Sequence, residues 1–190
     1  IIKFLGANDH YENRLVDIIL EAQATGAIVH AFNYPGIHRS TGRLKEFRDA
    51  VNAGIAVVNN LIKQGIHPDD IIFDGDCIGS AIAMAVRIEF SKKNILLRCI
   101  AGNTFSTVTA SLYDQAVKYF GLKYIARPSL INSLLAATGW DYDIYKVFDP
   151  NTPYLGLTQR TGDLFLGPKS RLKTCVDSKL PDISTLESST

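Results

Sequence analysis

A cysteine flanked by glycines is the feature of this 190-residue chain that points most directly to chemistry. In Gly75-Asp76-Cys77-Ile78-Gly79 the glycines stand two residues before and two residues after the cysteine. This is the G-x-nucleophile-x-G spacing of a nucleophile elbow, with Cys where Ser is usual. Such a turn is so tight that larger side chains would collide with the neighbouring strand and helix. The pattern predicts that Cys77 is a nucleophile whose side chain points outward.

The neighbours of Cys77 predict both support and opposition for a thiolate. The thiol would lie at the N-terminus of the following helix, whose partial positive charge favours the ionised form, and the backbone N–H of Ile78 would donate to an oxyanion. Asp74 and Asp76 act in the opposite direction, because nearby negative charges disfavour a thiolate. The alternative interpretation is that Cys77 is a small apolar residue packed at a strand end.

Strands and helices alternate along the chain around this turn. Short apolar runs predict strands over 1–5, 27–32, 71–73, 95–100 and 153–157, and apolar residues at helical spacing predict helices over 11–25, 44–62 and 78–90. Strands separated by helices long enough to cross over imply a mainly parallel sheet that is covered on both faces. The predicted fold class is therefore α/β and doubly wound.

Composition indicates a single domain without a strong overall electrostatic field. Apolar residues make up 46% of the chain, enough for one core. We expect this core over 1–177, with a helical, cap-like segment at about 105–140 and a polar tail over 178–190. Twenty basic and 19 acidic side chains leave a formal charge of +1, which disfavours nucleic acid as a partner.

Compartment and membrane contact can also be predicted from composition. No stretch approaches the roughly 18 apolar residues that a membrane span needs, so no integral membrane segment is expected. The three cysteines are an odd number at wide spacings, which fits neither a disulfide framework nor a metal pair. They indicate a reducing, cytoplasmic location. Asp141, Asp143 and Asp149 are not spaced from any histidine as metal ligands are, so no metal site is predicted. Neither G-x-x-x-x-G-K-[ST] nor G-x-G-x-x-G occurs, and no cofactor is predicted.

Two segments before Cys77 strengthen its interpretation, because with it they resemble the α/β-hydrolase superfamily. Residues 33–42, which read Asn-Tyr-Pro-Gly and then Ser-Thr-Gly, resemble that family's loop after its fourth strand. Residues 4–8 resemble the loop that supplies the second oxyanion N–H. The resemblance implies that this N–H belongs to Ala7 or Asn8.

The resemblance continues beyond Cys77 and extends over about residues 1–172. Residues 153–163 resemble the strand and loop that present the acid of a catalytic triad, which implies Asp163 as that acid. The alternative interpretation is that Asp163 is an ordinary turn residue after Gly162. The cysteine resembles the nucleophile of dienelactone-hydrolase-like members. The sequence of residues 33–42 also resembles that of SidB-like effector hydrolases of intracellular bacteria. If the protein were a secreted effector of this kind, its location would be the host cytosol.

The activity implied by the resemblance is hydrolysis of an ester, thioester or amide through a covalent acyl-enzyme on Cys77. The substrate would be a small-molecule or lipid acyl compound, and no cofactor is implied. The alternative is a catalytically inactive α/β-hydrolase scaffold that acts as a binding or interaction protein.

The histidines of the chain depart from the family's order. In this superfamily the triad histidine follows the acid, whereas all four histidines of this chain precede Cys77. Either the chain is a fragment, lacking the first strands and a last strand with the histidine beyond Thr190, or the protein lacks a working triad. His10, just after the predicted oxyanion loop, is a candidate substitute base. Its alternative interpretation is a solvated residue at a helix start.

Overall fold

Five parallel strands form one sheet in the computed structural model of the chain, which describes residues 1–7, 9–122, 127–149, 152–160, 166 and 170–177. The strands are β1 (Ile2–Phe4), β2 (His30–Ala31), β3 (Ile72–Asp76), β4 (Arg98–Gly102) and β5 (Leu155–Thr158). Their spatial order is β2-β1-β3-β4-β5. The order reverses beside β1, and in open α/β sheets such a switch point is where ligands bind, at the carboxyl ends of the strands.

Helices connect the strands, as the alternating pattern predicts. They are α1 (Leu15–Thr25), which follows a 3-10 turn over Tyr11–Arg14, then α2 (Phe47–Lys63), α3 (Ile78–Ser91), α4 (Val108–Phe120), α5 (Pro128–Thr138), α6 (Ile144–Val147) and α7 (Leu172–Asp177). The predicted α/β class and parallel sheet are therefore confirmed.

Strand boundaries differ from those predicted. The strand expected over 95–100 begins only at Arg98. The reason is that the turn capping α3 extends to Ile95, whose N–H donates to the carbonyl of Phe90 at 3.1 Å, while Asn94 adopts a φ of 60°. The strand expected over 27–32 is reduced to two residues, His30–Ala31.

One face of the sheet carries the core. The side chains of Ile2, Phe4, Phe73 and Cys99 point to this face and are buried, and α3 packs against β1, β3 and β4. Helix α2 lies so close that a Cβ atom added to Gly54 would be 2.7 Å from the Phe4 ring. Close packing of apolar side chains against both helices therefore anchors the strands that end at Cys77.

The opposite face is polar and more open. Because side chains alternate along a strand, Lys3 points away from the core and pairs with Glu21 of α1 at 2.9 Å. Ile100 on this face is 45% exposed. The helical spacing of α1 predicts a buried apolar stripe. In the structure Leu15 and Ile19 are instead about half exposed, and no residue of α1 is buried.

The predicted helical segment at about 105–140 contains α4 and α5. Gly121, which adopts a φ of 62°, caps the C-terminus of α4, and Pro128 is the first residue of α5. Trp140 follows α5 and donates from its ring N–H to the carbonyl of Lys45 at 3.0 Å, which ties the end of this segment to the start of α2. The role of the segment at about 105–140 as a cap stays a prediction. The expected tail over 178–190 lies outside the described residues. Within the described ranges, no helix combines the length and apolar character of a membrane span.

Candidate functional site

A single residue, Cys77, joins β3 to α3. Its backbone adopts φ 55° and ψ −122°, a conformation that L-residues other than glycine rarely adopt because the Cβ atom crowds the backbone. The Cys77 N–H donates to the carbonyl of Gly102 at 2.9 Å, which fixes the turn to the end of β4. The cysteine is half-buried. The turn has the strained strand-to-helix geometry that the G-x-C-x-G spacing predicts.

Both glycines of the motif are required for steric reasons. A Cβ atom on Gly75 would lie 2.6 Å from the Cα of Ser80, and one on Gly79 would lie 2.0 Å from the carbonyl oxygen of Phe4. Cβ atoms in proteins essentially never lie this close to a non-bonded atom. Ser80 is fully buried and donates from its hydroxyl to the carbonyl of Gly102 at 2.9 Å. The first turn of α3 is therefore pressed against the ends of β1, β3 and β4.

The loop after β1 lies against this turn. A Cβ atom added to Gly6 would be 3.5 Å from the Cβ of Cys77, which is ordinary van der Waals contact. Ala7, one of the two predicted second oxyanion donors, follows directly. Asn8 and the predicted triad acid Asp163 lie outside the described residues. The oxyanion roles of Ile78, Ala7 and Asn8 and the acid role of Asp163 stay predictions.

The two aspartates beside Cys77 each have a donor partner. Asp74 forms an ion pair with Lys3, and Asp76 accepts a hydrogen bond from the Asn103 amide at 2.9 Å. Desolvation lowers the pKa of Lys3, but hydrogen bonds to Asp74 and Glu21 outweigh it and raise that pKa above its usual value. The charge of Asp74 is thus compensated locally.

A cleft of about 440 Å³ opens at the carboxyl ends of the strands. Its walls include Lys3, Gly6, Gly75, Asp76, Asn103 and Arg160. The Arg160 N–H donates to the side-chain oxygen of Asn103 at 2.8 Å and so joins the segment after β5 to the segment after β4. Cys77 is not among the lining residues, so this cleft lies beside the turn. Polar side chains dominate the walls and would suit a polar part of a ligand.

The other two cysteines differ in environment from Cys77. Cys99 is buried on β4, and desolvation raises the pKa of its thiol to about 12 although Arg87 lowers it. It is therefore protonated at neutral pH and unreactive. Cys175 is half-buried in α7. Cys77 differs from both because it combines partial exposure with a strained backbone at a helix N-terminus.

Comparison with known proteins identifies the fold. The chain superposes on the α/β-hydrolase from Vibrio vulnificus with a TM-score of 0.62 at 19% sequence identity, over 82% of this chain and 54% of that one. The chain has the α/β-hydrolase fold. No protein-family model matches it, and no curated protein matches it significantly.

Further solved structures share this α/β-hydrolase fold. An extracellular α/β-hydrolase from a Paenibacillus species aligns with a TM-score of 0.57 at 13% identity, over 89% of this chain and 81% of that one. YbtT, a type II thioesterase from the yersiniabactin biosynthetic pathway, aligns with a TM-score of 0.52 at 16% identity, over 89% of this chain and 76% of that one. The chain spans about half the length, 54%, of the Vibrio vulnificus protein.

Near the same edge of the sheet, the candidate base His10 lies against Glu12 and His38, two residues that sequence reasoning did not assign to the site. The two imidazole rings stack at a centroid distance of 4.3 Å and an interplanar angle of 9°. Glu12 contacts both: its Oε2 is 3.1 Å from His10 Nδ1 and its Oε1 is 3.6 Å from His38 Nε2. We call these residues the His–Glu–His cluster. The role of His10 as a substitute base stays a prediction.

Asn33 holds the His–Glu–His cluster in place. Its side-chain oxygen accepts from the Tyr11 N–H at 2.9 Å, and its amide nitrogen donates to Glu12 Oε2 at 2.9 Å. Desolvation raises the pKa of the Glu12 carboxyl, but hydrogen bonds from Asn33, its own backbone and His10, with the charge of His38, bring that pKa down to about 2. Glu12 is therefore a carboxylate at neutral pH. It contacts His10 in the loop after β1 and His38 in the loop after β2.

Proposed function

We propose that this chain carries the catalytic core of a hydrolase that cleaves an ester, thioester or amide through Cys77. The supporting observation is the backbone of Cys77, at φ 55° and ψ −122°, between two glycines that cannot carry a Cβ atom. Strain of about 1–3 kcal/mol at one residue persists where the surrounding structure enforces it, and it clusters at active sites. In the α/β-hydrolase fold this strand-to-helix turn is the position of the nucleophile.

In the proposed reaction the Cys77 thiolate attacks the carbonyl carbon of the substrate. The sulfur electron pair forms the S–C bond while the π pair of the carbonyl moves to its oxygen. That oxyanion accepts hydrogen bonds from the N–H of Ile78 and from the N–H of Ala7 or Asn8. Collapse of the tetrahedral intermediate breaks the bond to the leaving group and leaves a thioester on Cys77.

A second addition completes the proposed cycle. Water attacks the Cys77 thioester, and the intermediate collapses to a free acid and the thiolate. The leaving group takes up a proton in the first half, and the attacking water gives one up in the second, so a general acid and base is needed. We assign this task to a histidine oriented by Asp163. Within this chain the substitute candidate is His10, which would be oriented by Glu12 in place of Asp163, because Glu12 Oε2 lies 3.1 Å from its Nδ1.

Steady-state assays with a p-nitrophenyl ester and an acyl thioester test the proposal. Turnover is expected in the unmodified chain and in Cys175→Ala, and is expected to be lost in Cys77→Ala. Cys175→Ala is a matched control because it also removes one half-buried thiol. Equal turnover in Cys77→Ala and the unmodified chain would overturn the proposal.

A labelling experiment separates the enzyme from the alternative binding scaffold. A thiol-directed acylating probe should modify Cys77, while Cys99 stays unmodified as an internal control because its thiol is buried and protonated. Peptide mass spectrometry reports both sites in one sample. Modification of Cys77 without turnover of either substrate would support an inactive scaffold.

A further inference from the structure

We propose that His10, Glu12 and His38 form a binding site for a divalent transition metal of the Zn²⁺ type. Two imidazoles and one carboxylate are ligands that Zn²⁺ accepts, with Zn–N distances of about 2.0–2.1 Å. One ligand atom from each residue can be chosen so that all three lie within 4.8 Å of one another. The proposal does not depend on the activity of Cys77, but a metal-bound His10 has no free basic nitrogen, so metal binding and the base role of His10 exclude each other.

Each histidine lies about as far from one oxygen of Glu12 as two ligands of a tetrahedral ion lie from each other. Ligand atoms about 2.0–2.1 Å from the metal at tetrahedral angles lie roughly 3.3 Å apart. The distance from Glu12 Oε2 to His10 Nδ1 is 3.1 Å, and that from Glu12 Oε1 to His38 Nε2 is 3.6 Å. Because the two imidazole planes are stacked at 9°, one ion cannot lie in both ring planes, so binding requires one imidazole to rotate about its side-chain bonds.

The surroundings supply the outer contacts that metal sites use. Asn33 donates to Glu12 Oε2 at 2.9 Å, which orients the carboxylate in the way that hydrogen-bonded ligands are oriented in known sites. The side chains of His10, Glu12 and His38 are 24%, 27% and 34% exposed, so solvent reaches the cluster. Three protein ligands with an open position for water are the arrangement of a catalytic rather than a purely structural zinc site.

The loop that carries His38 is held by its own backbone. The Ile37 N–H donates to the carbonyl of Tyr34 at 3.0 Å, and the Ser40 N–H donates to the carbonyl of Ile37 at 2.9 Å. Tyr34 is buried and anchors this loop in the core. Because its backbone position is already set, His38 would lose little conformational entropy on binding a metal.

Metal titration of the chain tests the proposal. Isothermal titration calorimetry with Zn²⁺ should show one saturable site of micromolar affinity or tighter. Glu12→Gln and His38→Ala should each lower the affinity at least about tenfold, and Asn33→Ala by about tenfold through loss of the outer contact. His67→Ala is the matched control, because His67 also faces a carboxylate, Asp69, at 3.4 Å but does so without a second imidazole. It should bind as the unmodified chain does.

Cobalt substitution gives a second measurement and excludes thiol binding. Co²⁺ bound by nitrogen and oxygen ligands should show visible d–d bands without the ultraviolet sulfur-to-cobalt charge transfer that Cys77 would cause. Far-ultraviolet circular dichroism shows whether each variant is folded. Absence of saturable binding in the unmodified chain, charge transfer from sulfur, or equal losses in His67→Ala and His38→Ala would overturn the proposal.

Discussion

The Cys77 turn and the His–Glu–His cluster both follow strands of the same sheet, but different forces hold them. The turn is held by backbone contacts, since Gly79 lies where a Cβ atom would meet the carbonyl of Phe4. The cluster is held by side chains from two loops, joined through Asn33. One added carbon atom should strongly lower the free energy of unfolding where backbone contacts hold the site. Removal of one side chain from the cluster should lower it only by the contribution of the hydrogen bonds lost.

The largest effect is expected for Gly79→Ala. Its Cβ atom would lie 2.0 Å from the Phe4 carbonyl oxygen, a backbone atom that cannot move without displacing β1. We expect the free energy of unfolding to fall by about 3 kcal/mol or more. Urea denaturation measures the change. In the control, Gly156→Ala, no atom lies within 4 Å of the added Cβ, so a loss as large there would contradict the steric explanation.

Relief of strain at Cys77 should act in the opposite direction. Glycine adopts positive φ readily, so Cys77→Gly should raise the free energy of unfolding by about 1 kcal/mol. Cys77→Ala keeps a Cβ atom at φ 55° and should bring no such gain. The two variants, compared by urea denaturation, isolate the backbone because both lack the thiol. Equal stability of the two would show that the turn is not strained.

In the His–Glu–His cluster, Asn33→Ala should lower the free energy of unfolding by less than Gly79→Ala does. It removes two hydrogen bonds of 2.9 Å, to the Tyr11 N–H and to Glu12 Oε2. Since a typical hydrogen bond contributes about 0.5–1.5 kcal/mol, we expect a loss of about 1–3 kcal/mol for the two. Thermal or urea unfolding without added metal gives the value. A loss as large as that of Gly79→Ala would remove the distinction between the two regions.

The smallest effect is a pH dependence from Glu12. Its pKa in the folded chain is about 2, below its usual value of 4.5. The carboxylate therefore contributes stability above about pH 4.5, and this contribution is lost as the pH falls through 2. Unfolding compared at about pH 6 and about pH 3 should show a smaller acid-induced loss in Glu12→Gln than in the unmodified chain.

A second acidic residue serves as the control for that pH dependence. Hydrogen bonds from Arg48 and Lys92 bring the pKa of Glu89 down to about 2. Glu89→Gln should show a similar decrease in acid sensitivity, and salt should diminish it because this ion pair is exposed. It should leave zinc binding unchanged. A change in zinc binding in Glu89→Gln would contradict assignment of the site to the His–Glu–His cluster.

The Cys77 turn could be predicted because its signal is local. The tight strand-to-helix turn needs glycine at 75 and 79, and this requirement is visible within five residues. The α/β class could be predicted for a related reason, since apolar runs and helical spacing alternate along the chain. The start of β4 at Arg98 could not, because the end of α3 competes for Ile95 through a backbone hydrogen bond.

The order of strands and helices along the chain and the tight turn at Cys77 follow from the sequence, because both depend on residues that are near one another in the chain. The contact between His10 and His38 depends instead on how the strands pair. Strand β1 pairs in parallel with β2, with Ile2 opposite His30, so the loops after both strands leave the same edge of the sheet. Strand pairing is a long-range interaction, and it alone brings imidazoles from two loops to the same carboxylate.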